Sequence, residues 1–317
     1  MPPLLLSAKS LSRYFGSQLA VHQLDFDLYK GEVLGFLGPN GAGKSTSMKM
    51  LSGNLAPNEG QITINGYDLL SQPKQAKAHI GYLPEQPPLY KELSVLEFLS
   101  FCARINYIPP ASQRKAIDTT IERCGLGDVR KRLISHLSKG FQQRVGIAQA
   151  IIHTPSVIIL DEPTSGLDPI QIREIRQLIK DIAQEHSVIL STHILPEVQM
   201  LCDRVKIINH GSLVFDNTTD MLQQKMQSSS LLLTLKSPPA IEILNQIQGV
   251  IAVTALSNTR FKIQYQPQYN PTPIILESAV TQQWQLTALS PEQHSLEDVF
   301  MNIIQQESSE RTADIYP

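Results

Sequence analysis

The stretch Gly38-Pro39-Asn40-Gly41-Ala42-Gly43-Lys44-Ser45-Thr46 constrains this chain more than any other. It follows the apolar run Val33 to Leu37, which predicts a strand buried on both faces, and it precedes helix-competent residues from Ser47 to Leu51. Strand, glycine-rich turn and helix form the context that a phosphate-binding loop needs. The glycines let successive backbone N–H groups converge on one concave site, and the new helix turns its positive end toward it. Lys44 is placed to reach the outer phosphates and the Ser45 hydroxyl to ligate Mg²⁺. At ordinary glycine usage a chance match is on the order of one per cent, so the sequence predicts a protein that binds a nucleoside triphosphate.

The remaining segments build an α/β frame around that loop. Residues 4 to 30 predict short antiparallel strands, with Leu24, Phe26 and Leu28 alternating against Asp25 and Asp27. Tyr14 and Phe15 precede Gly16, and an aromatic there either stacks on an adenine ring or fills the core. Gln61 to Ile64 predicts a strand closed by the Asn65-Gly66 turn, and Ile80 to Leu83 a strand running into a rigid, proline-paired loop. Residues 95 to 124 read as helical. Ser138 is a good N-cap for a helix that carries Phe141, Val145, Ala148 and Ile152 at helical spacing.

Val157 to Leu160 is a second wholly apolar strand, and it ends in Asp161 and Glu162. Ligands of parallel α/β sheets sit outside the carboxyl ends of the strands, which sets these carboxylates beside the phosphate loop. Asp161 is placed to support a Mg²⁺ shell and Glu162 to polarise an attacking water. A lone Asp-Glu pair after a strand is ordinarily a solvated turn; the upstream loop turns the reading toward catalysis. Asp168 with Pro169 opens a helix whose buried stripe is Ile172, Ile175, Ile179 and Ile182. Val188 to Leu190 predicts a third core strand ending at Ser191-Thr192-His193, so His193 shares the sheet edge with Asp161. Strands and helices alternating in this way argue for a mainly parallel sheet.

Composition narrows the function classes. A formal net charge of −2 over 317 residues supplies no electrostatic attraction to nucleic acid, and the compact basic run Arg130-Lys131-Arg132 reads as a solvated helix end. Cys102, Cys124 and Cys202 lack metal-ligand spacing and read as packing thiols in a reducing compartment. No apolar stretch is long enough to span a bilayer and Leu4-Leu5-Leu6 is too short for a signal core, so the chain is expected to remain in the cytoplasm.

Taken together, these segments resemble the ATP-binding subunit of an ABC transporter over roughly residues 4 to 225. The resemblance implies a P-loop NTPase fold of the ABC ATPase type, with a mainly parallel sheet core and an antiparallel β subdomain. It also implies a helical subdomain at about 90–152, all within a domain 1–227. It makes Gly38 to Thr46 the Walker A loop that holds ATP, Val157 to Asp161 the Walker B strand, and Glu162 the catalytic glutamate. Ser165 to Asp168 becomes the D-loop, with Asp168 on the ATP-binding side, and His193 the switch histidine. Phe15 best fits the adenine-stacking aromatic. Leu137 to Phe141 fits the signature motif, in which Ser138 and Gly140 would meet the γ-phosphate.

Two departures from the family pattern stand out. The usual Leu-Ser-Gly-Gly-Gln is Leu-Ser-Lys-Gly-Phe here, so Lys139 adds a positive charge. At the Q-loop, Glu85 falls where a Mg²⁺-sensing glutamine belongs, with Gln86 one step later. Both substitutions look like those of type-2 exporter ATPases, including drug, polysaccharide and gliding-motility systems. The resemblance implies ATP and Mg²⁺ as cofactors and ATP hydrolysis that drives a separate integral membrane permease for export. It implies a second copy, or a related ATPase subunit, as partner, on the cytoplasmic face of the inner membrane. The alternative is a soluble ABC-type ATPase acting on nucleic acid or ribosomes, disfavoured by the single cassette, the lack of a long insertion and the slightly acidic balance. A purely regulatory nucleotide-binding module is argued against by Glu162 and His193. Cargo is chosen by the permease and is not written in this chain.

After the hairpin expected at His210-Gly211 the texture changes. Gln223, Gln224 and Gln227 lead into Ser228-Ser229-Ser230, read as a hinge into a small α+β domain at 228–306. Leu231 to Leu235, Phe261 to Tyr265 and Trp284 to Leu289 predict strands, and Ala240 to Ile247 and Pro273 to Val280 predict helices. Ser295 to Ile304 predicts a closing helix, with a disordered tail at 307–317. Ser295 to Phe300 resembles the C-terminal extension of type-2 exporter ATPases, with a regulatory or dimer-supporting role.

Overall fold

Alternation in the first strands decides which sheet they join. In the structure, a computed structural model that describes residues 2–266 and 268–293, β1 (Leu4–Phe15) and β2 (Gln18–Tyr29) pair antiparallel. Leu24, Phe26 and Leu28 are buried while Asp25 faces solvent. These strands are longer than the short ones expected, because register shifts flanking Leu11 let the ribbon bend without ending. The next segment, β3 (Val33–Leu37), is buried at all five positions and belongs to a different sheet. It leads into α1 (Lys44–Leu51). The chain then returns through β4 (Glu59–Ile64), β5 (Tyr67–Asp68) and the short α2 (Pro73–Lys77). The first sheet therefore has the order β2-β1-β4-β5.

The second sheet carries the strands that read as continuous apolar runs. β6 (Ile80–Leu83) is followed by α3 (Val95–Ile105), α4 (Pro110–Arg123) and α5 (Lys139–Ile151) before β7 (Val157–Asp161). α6 (Pro169–Ala183), β8 (Ser187–Thr192), α7 (Leu195–Leu201), β9 (Arg204–Asn209) and β10 (Ser212–Thr218) complete it. The order is β10-β9-β3-β8-β7-β6, parallel throughout except for the β9–β10 hairpin. One face of this sheet packs on the first sheet and α1, where Phe36, Val157, Ile159 and Ile189 share a core with Leu24, Phe26 and Met48, so that Val157 to Asp161 and Val188 to Thr192 are wholly buried. β8 lies between β3 and β7, with Leu37 level with Thr192 and Asp161 level with Ser191. Three carboxyl-terminal strand ends are thus brought side by side.

Residues 95 to 124, read as one helical stretch, are two helices. α3 opens on a capping box, with the Glu97 N–H donating to Ser94 Oγ and the Ser94 N–H to Glu97 Oε2. It stops before Tyr107, which has a φ of 57°, and α4 starts at Pro110. Pro109 and Pro110 forbid continuity, since neither supplies an N–H and the residue before a proline avoids helical backbone. In α6 the buried stripe is Ile175, Leu178, Ile179 and Ile182, with Ile172 half-buried at the edge. All three cysteines are buried, and burial pushes the Cys102 and Cys124 thiols up to about 12.

The first compact unit is Met1–Thr219 and the second begins at Asp220. Ser228 to Ser230, expected as a hinge, lie within β11 (Gln227–Leu235), which follows α8 (Thr219–Met226). Ladder pairing overrides their composition: Ser230 is level with Gln264, and β11 is bonded on both sides. α9 (Ile241–Asn245), β12 (Val250–Ala255), β13 (Arg260–Tyr265), α10 (Thr272–Thr281) and β14 (Leu286–Gln293) complete an antiparallel sheet, β12-β13-β11-β14, with two helices. β12 was not anticipated. Trp284, expected in the last strand, precedes it and sits 3% exposed in a core with Leu233, Phe261, Ile263 and Ile275. The closing helix at 295–304, the tail at 307–317 and the Ser295–Phe300 segment lie outside the described residues.

Candidate nucleotide-binding site

The site grows from the turn after β3. A Cβ on Gly38 would fall 2.5 Å from Ile208 O, so only glycine lets the loop leave the sheet this close to β9. Gly43, at φ 107°, is the N-cap of α1 and contributes no side-chain bond to it. The first-turn N–H groups of α1 therefore remain uncapped by side chains and point to the concave side of the loop. Lys44 is only 6% exposed; its Nζ donates to Gly38 O at 2.8 Å and Pro39 O at 3.2 Å.

The adjoining strand ends supply the acidic side. Glu162 sits just past β7 with a φ of 49°, and its N–H donates to Ser191 O at 2.9 Å. Glu162 Oε1 lies 3.4 Å from Lys44 Nζ, and Oε2 lies 2.8 Å from His193 Nδ1. An ionised carboxylate only accepts, so Nδ1 carries the proton and Nε2 is left to face the cleft. Asp161 is 1% exposed, and its Oδ1 has no hydrogen-bond partner. Burial pushes the Asp161 carboxyl above the usual carboxylate range; the neighbouring Ser191 and Ser45 hydroxyls pull it down, and the charges of Glu162 and Glu85 raise it further.

Lys44, Glu162 and His193 open on one cleft of 680 Å³, lined also by Asn40, Ser45 and Glu85, while Asp161 is buried and does not line it. Gly41, Gly43 and Thr46 also line it, whereas Gly38, Pro39 and Ala42 lie behind as the body of the loop. Glu85 reaches the cleft and Gln86 does not line it. Phe15 stands at the cleft, 49% exposed, with the Arg13 guanidinium 5.0 Å over its ring. Tyr14 is turned away from it, and its backbone N–H donates to Asn58.

Ser138, Gly140 and Asp168 lie elsewhere in the chain. Ser138 caps α5 by accepting from the Phe141 N–H, and Asp168 caps α6 by accepting from the Gln171 N–H at 2.9 Å. A Cβ on Gly140 would strike the Gln171 side chain at 2.8 Å, and one on Gly166 would strike Lys139 Nζ at 2.2 Å. The starts of α5 and α6 are therefore packed together, away from the cleft. Sequence reading missed Gln18 and Ala20 of β2 and the His210-Gly211 turn, which also line the cleft. Only the packing of the turn against β2, where the His22 N–H donates to Gly211 O, brings them there.

Residues 21–165 match the family model described as ABC transporter. The chain is 40% identical over 223 residues to the bacitracin transport ATP-binding protein BcrA of Bacillus licheniformis, covering 70% of this chain and 72% of that one. It is 34% identical over 303 residues to YhcH of Bacillus subtilis, an uncharacterized ABC transporter ATP-binding protein, covering 94% and 95%. Among solved structures, an ATP-binding subunit of an ABC transporter superposes with a TM-score of 0.64 at 32% identity, covering 70% of this chain and 92% of that one.

Proposed function

The chain belongs to the ATP-binding proteins of ABC transporters, and from that premise we propose that two copies clamp two ATP molecules and drive an export permease. It is an ATPase of the transporter class. The cleft observation that carries the mechanism is the chain of contacts Lys44–Glu162–His193. The uncapped amides of α1 and the Lys44 ammonium receive the phosphates, and Phe15 offers its exposed face to the base. Glu162 Oε2 is tied to His193, while Oε1 is buried against the Lys44 ammonium at 3.4 Å without a hydrogen bond; phosphates that draw Lys44 toward themselves would release Oε1 to orient the attacking water. His193 supports the γ-phosphate from the other side. Little covalent work falls to the protein in phosphoryl transfer, so positioning and charge compensation suffice.

Mg²⁺ fits the oxygen donors present: the Ser45 hydroxyl and the Glu85 carboxylate at the cleft, with the Asp161 carboxylate buried beside Ser45 to support them. When bound it would neutralise charge on the phosphate oxygens. The position of Ser138, Gly140 and Asp168 away from their own chain's cleft supports a composite site, in which the signature turn of one copy meets ATP held by Lys44 of the other. Moving an open-closed equilibrium from 1:99 to 99:1 takes about 5.5 kcal/mol. Hydrogen bonds to charged groups contribute roughly 1.5 to 3 kcal/mol each, so a few γ-phosphate contacts per site suffice.

The permease would dock beside the loop after Glu85 and the helices that end near Tyr107. That surface holds a second cavity of 1120 Å³, lined by Lys74, Ile105, Tyr107 and His153, with Tyr107 79% exposed. No helix among the described residues is long and apolar enough to cross a membrane; the reading proposed here puts the membrane path in a separate subunit, with this chain on its cytoplasmic face. Export is supported by the likeness to the bacitracin transport protein. The test is Glu162→Gln: turnover falls at least about a hundredfold while ATP affinity is kept, read by phosphate release and nucleotide titration. A variant that hydrolyses at the wild-type rate refutes the assignment.

A further inference from the structure

Behind the cleft, without lining it, lies a carboxylate that the mechanism above leaves unused. Glu197, near the start of α7, is 0% exposed. Its Oε1 accepts from Thr164 Oγ1 at 2.7 Å and from Arg176 Nε and Nη2 at 3.3 and 3.1 Å. Its Oε2 accepts from Thr192 Oγ1 at 2.8 Å. Both oxygens are thus committed to three other segments of the chain.

Those segments are the ones that carry the reacting groups. Thr192 immediately precedes His193, and its hydroxyl also accepts the Ile194 N–H at 3.0 Å. With its single proton directed to Glu197, the hydroxyl bridges the backbone on both sides of His193. Thr164 follows Glu162 by two residues and lies in a turn closed by the Ser165 N–H donating to Glu162 O. That turn holds Glu162 at its left-handed φ, a conformation that a side-chain-bearing residue keeps only when its surroundings impose it. Arg176 lies on α6, the helix that begins at the Asp168 cap. One buried carboxylate therefore joins the loop after Glu162, the residue before His193 and the helix after the D-loop.

Burial of an ion pair and two hydroxyls stabilises a fold no better than apolar side chains of the same volume, whereas removing one partner is costly. What the network supplies is geometry. We infer that Glu197 is the positioning residue of the Glu162–His193 pair, setting the distance between them through Thr164 and Thr192 and tying that distance to the D-loop helix. The inference rests on the catalytic assignment of Glu162 and His193 proposed above. Glu197 is buried and does not line the cleft; it acts through the two threonines.

The test uses the full chain and measures kcat and KM for ATP. Glu197→Gln strands a half-buried guanidinium and risks misfolding, so the deciding variants are Thr192→Val and Thr164→Val, which keep shape and leave the Glu197–Arg176 pair intact. Each lowers kcat by roughly ten- to a hundredfold, the loss of one hydrogen bond to a charged group, with KM changed by less than about twofold, since ground-state binding is untouched. Thr192→Ser returns the hydroxyl and recovers the rate. Glu162→Gln is measured alongside. If it is inactive while both valine variants keep the wild-type kcat, or lose kcat only in step with a rise in KM, the role of Glu197 is overturned alone. If Glu162→Gln itself turns over normally, the underlying catalytic assignment fails.

Discussion

At Glu162 a single residue combines a strained backbone, a salt bridge to Lys44 and a contact to His193. The strain, on the order of 1 to 3 kcal/mol, aims the carboxylate across the cleft instead of along the strand. Phe15 shows a different economy: its ring is left half in solvent where a core aromatic would be covered. Phe15→Ala therefore weakens ATP binding by about two- to tenfold, the range of one aromatic stacking contact, while Phe15→Trp keeps it. Titration with a fluorescent ATP analogue reads the difference, and equal affinity for the alanine variant would remove Phe15 from the site. The place of Lys44, Ser45 and Glu162 at one cleft was legible because each follows a strand that the apolar pattern marks. Gln18 and His210 carry no such mark; their place at the cleft comes from contacts between distant strands.

Elements explain why these residues meet. β3, β8 and β7 are neighbours in the sheet though far apart in the chain, and parallel pairing puts all three active ends on one edge. The opposite edge holds the buried His186 and the half-buried His153 and His79. His153 Nε2 donates to Ile80 O at 3.0 Å, and its Nδ1 is buried with no hydrogen-bond partner. Burial above all lowers the His153 pKa, with the nearby His186 and His79 lowering it further. The unfolded chain takes up this proton near pH 6.5, the folded chain only at lower pH. Stability is then intact above about pH 7 and is lost as pH falls through and below 6.5. Thermal melts of the wild type fall in that window, and His153→Gln flattens the decline; parallel curves for the two proteins would exclude the histidine. Helix boundaries were harder to read than helices, as Pro109 and Pro110 show by dividing what the apolar pattern joined.

For the whole molecule, the separation of the signature turn from its own cleft has a measurable consequence. Lys44→Ala abolishes nucleotide binding in its own cleft, and Ser138→Arg blocks the face offered to a partner. Each alone is inactive in a composite dimer. An equimolar mixture regenerates one intact site in mixed pairs and recovers on the order of a quarter of the wild-type rate, since half of random pairs are mixed and each holds one of two sites. No recovery on mixing would mean that each chain hydrolyses ATP unaided. The second unit, with its own core around Trp284 and Phe261, follows the first in a chain whose relative YhcH matches along both.

Local chemistry was enough to announce a triphosphate loop, two carboxylates at a strand end and an alternating α/β frame, because glycine spacing, apolar runs and caps act over a few neighbouring residues. It could not announce the order of the strands, the break between α3 and α4, the strand through Ser228 to Ser230, or the bonds of Glu197 to Thr164 and Arg176, 33 and 21 residues away. Those depend on which distant surfaces exclude water together and which buried polar groups then find one another, and only the folded chain sets that.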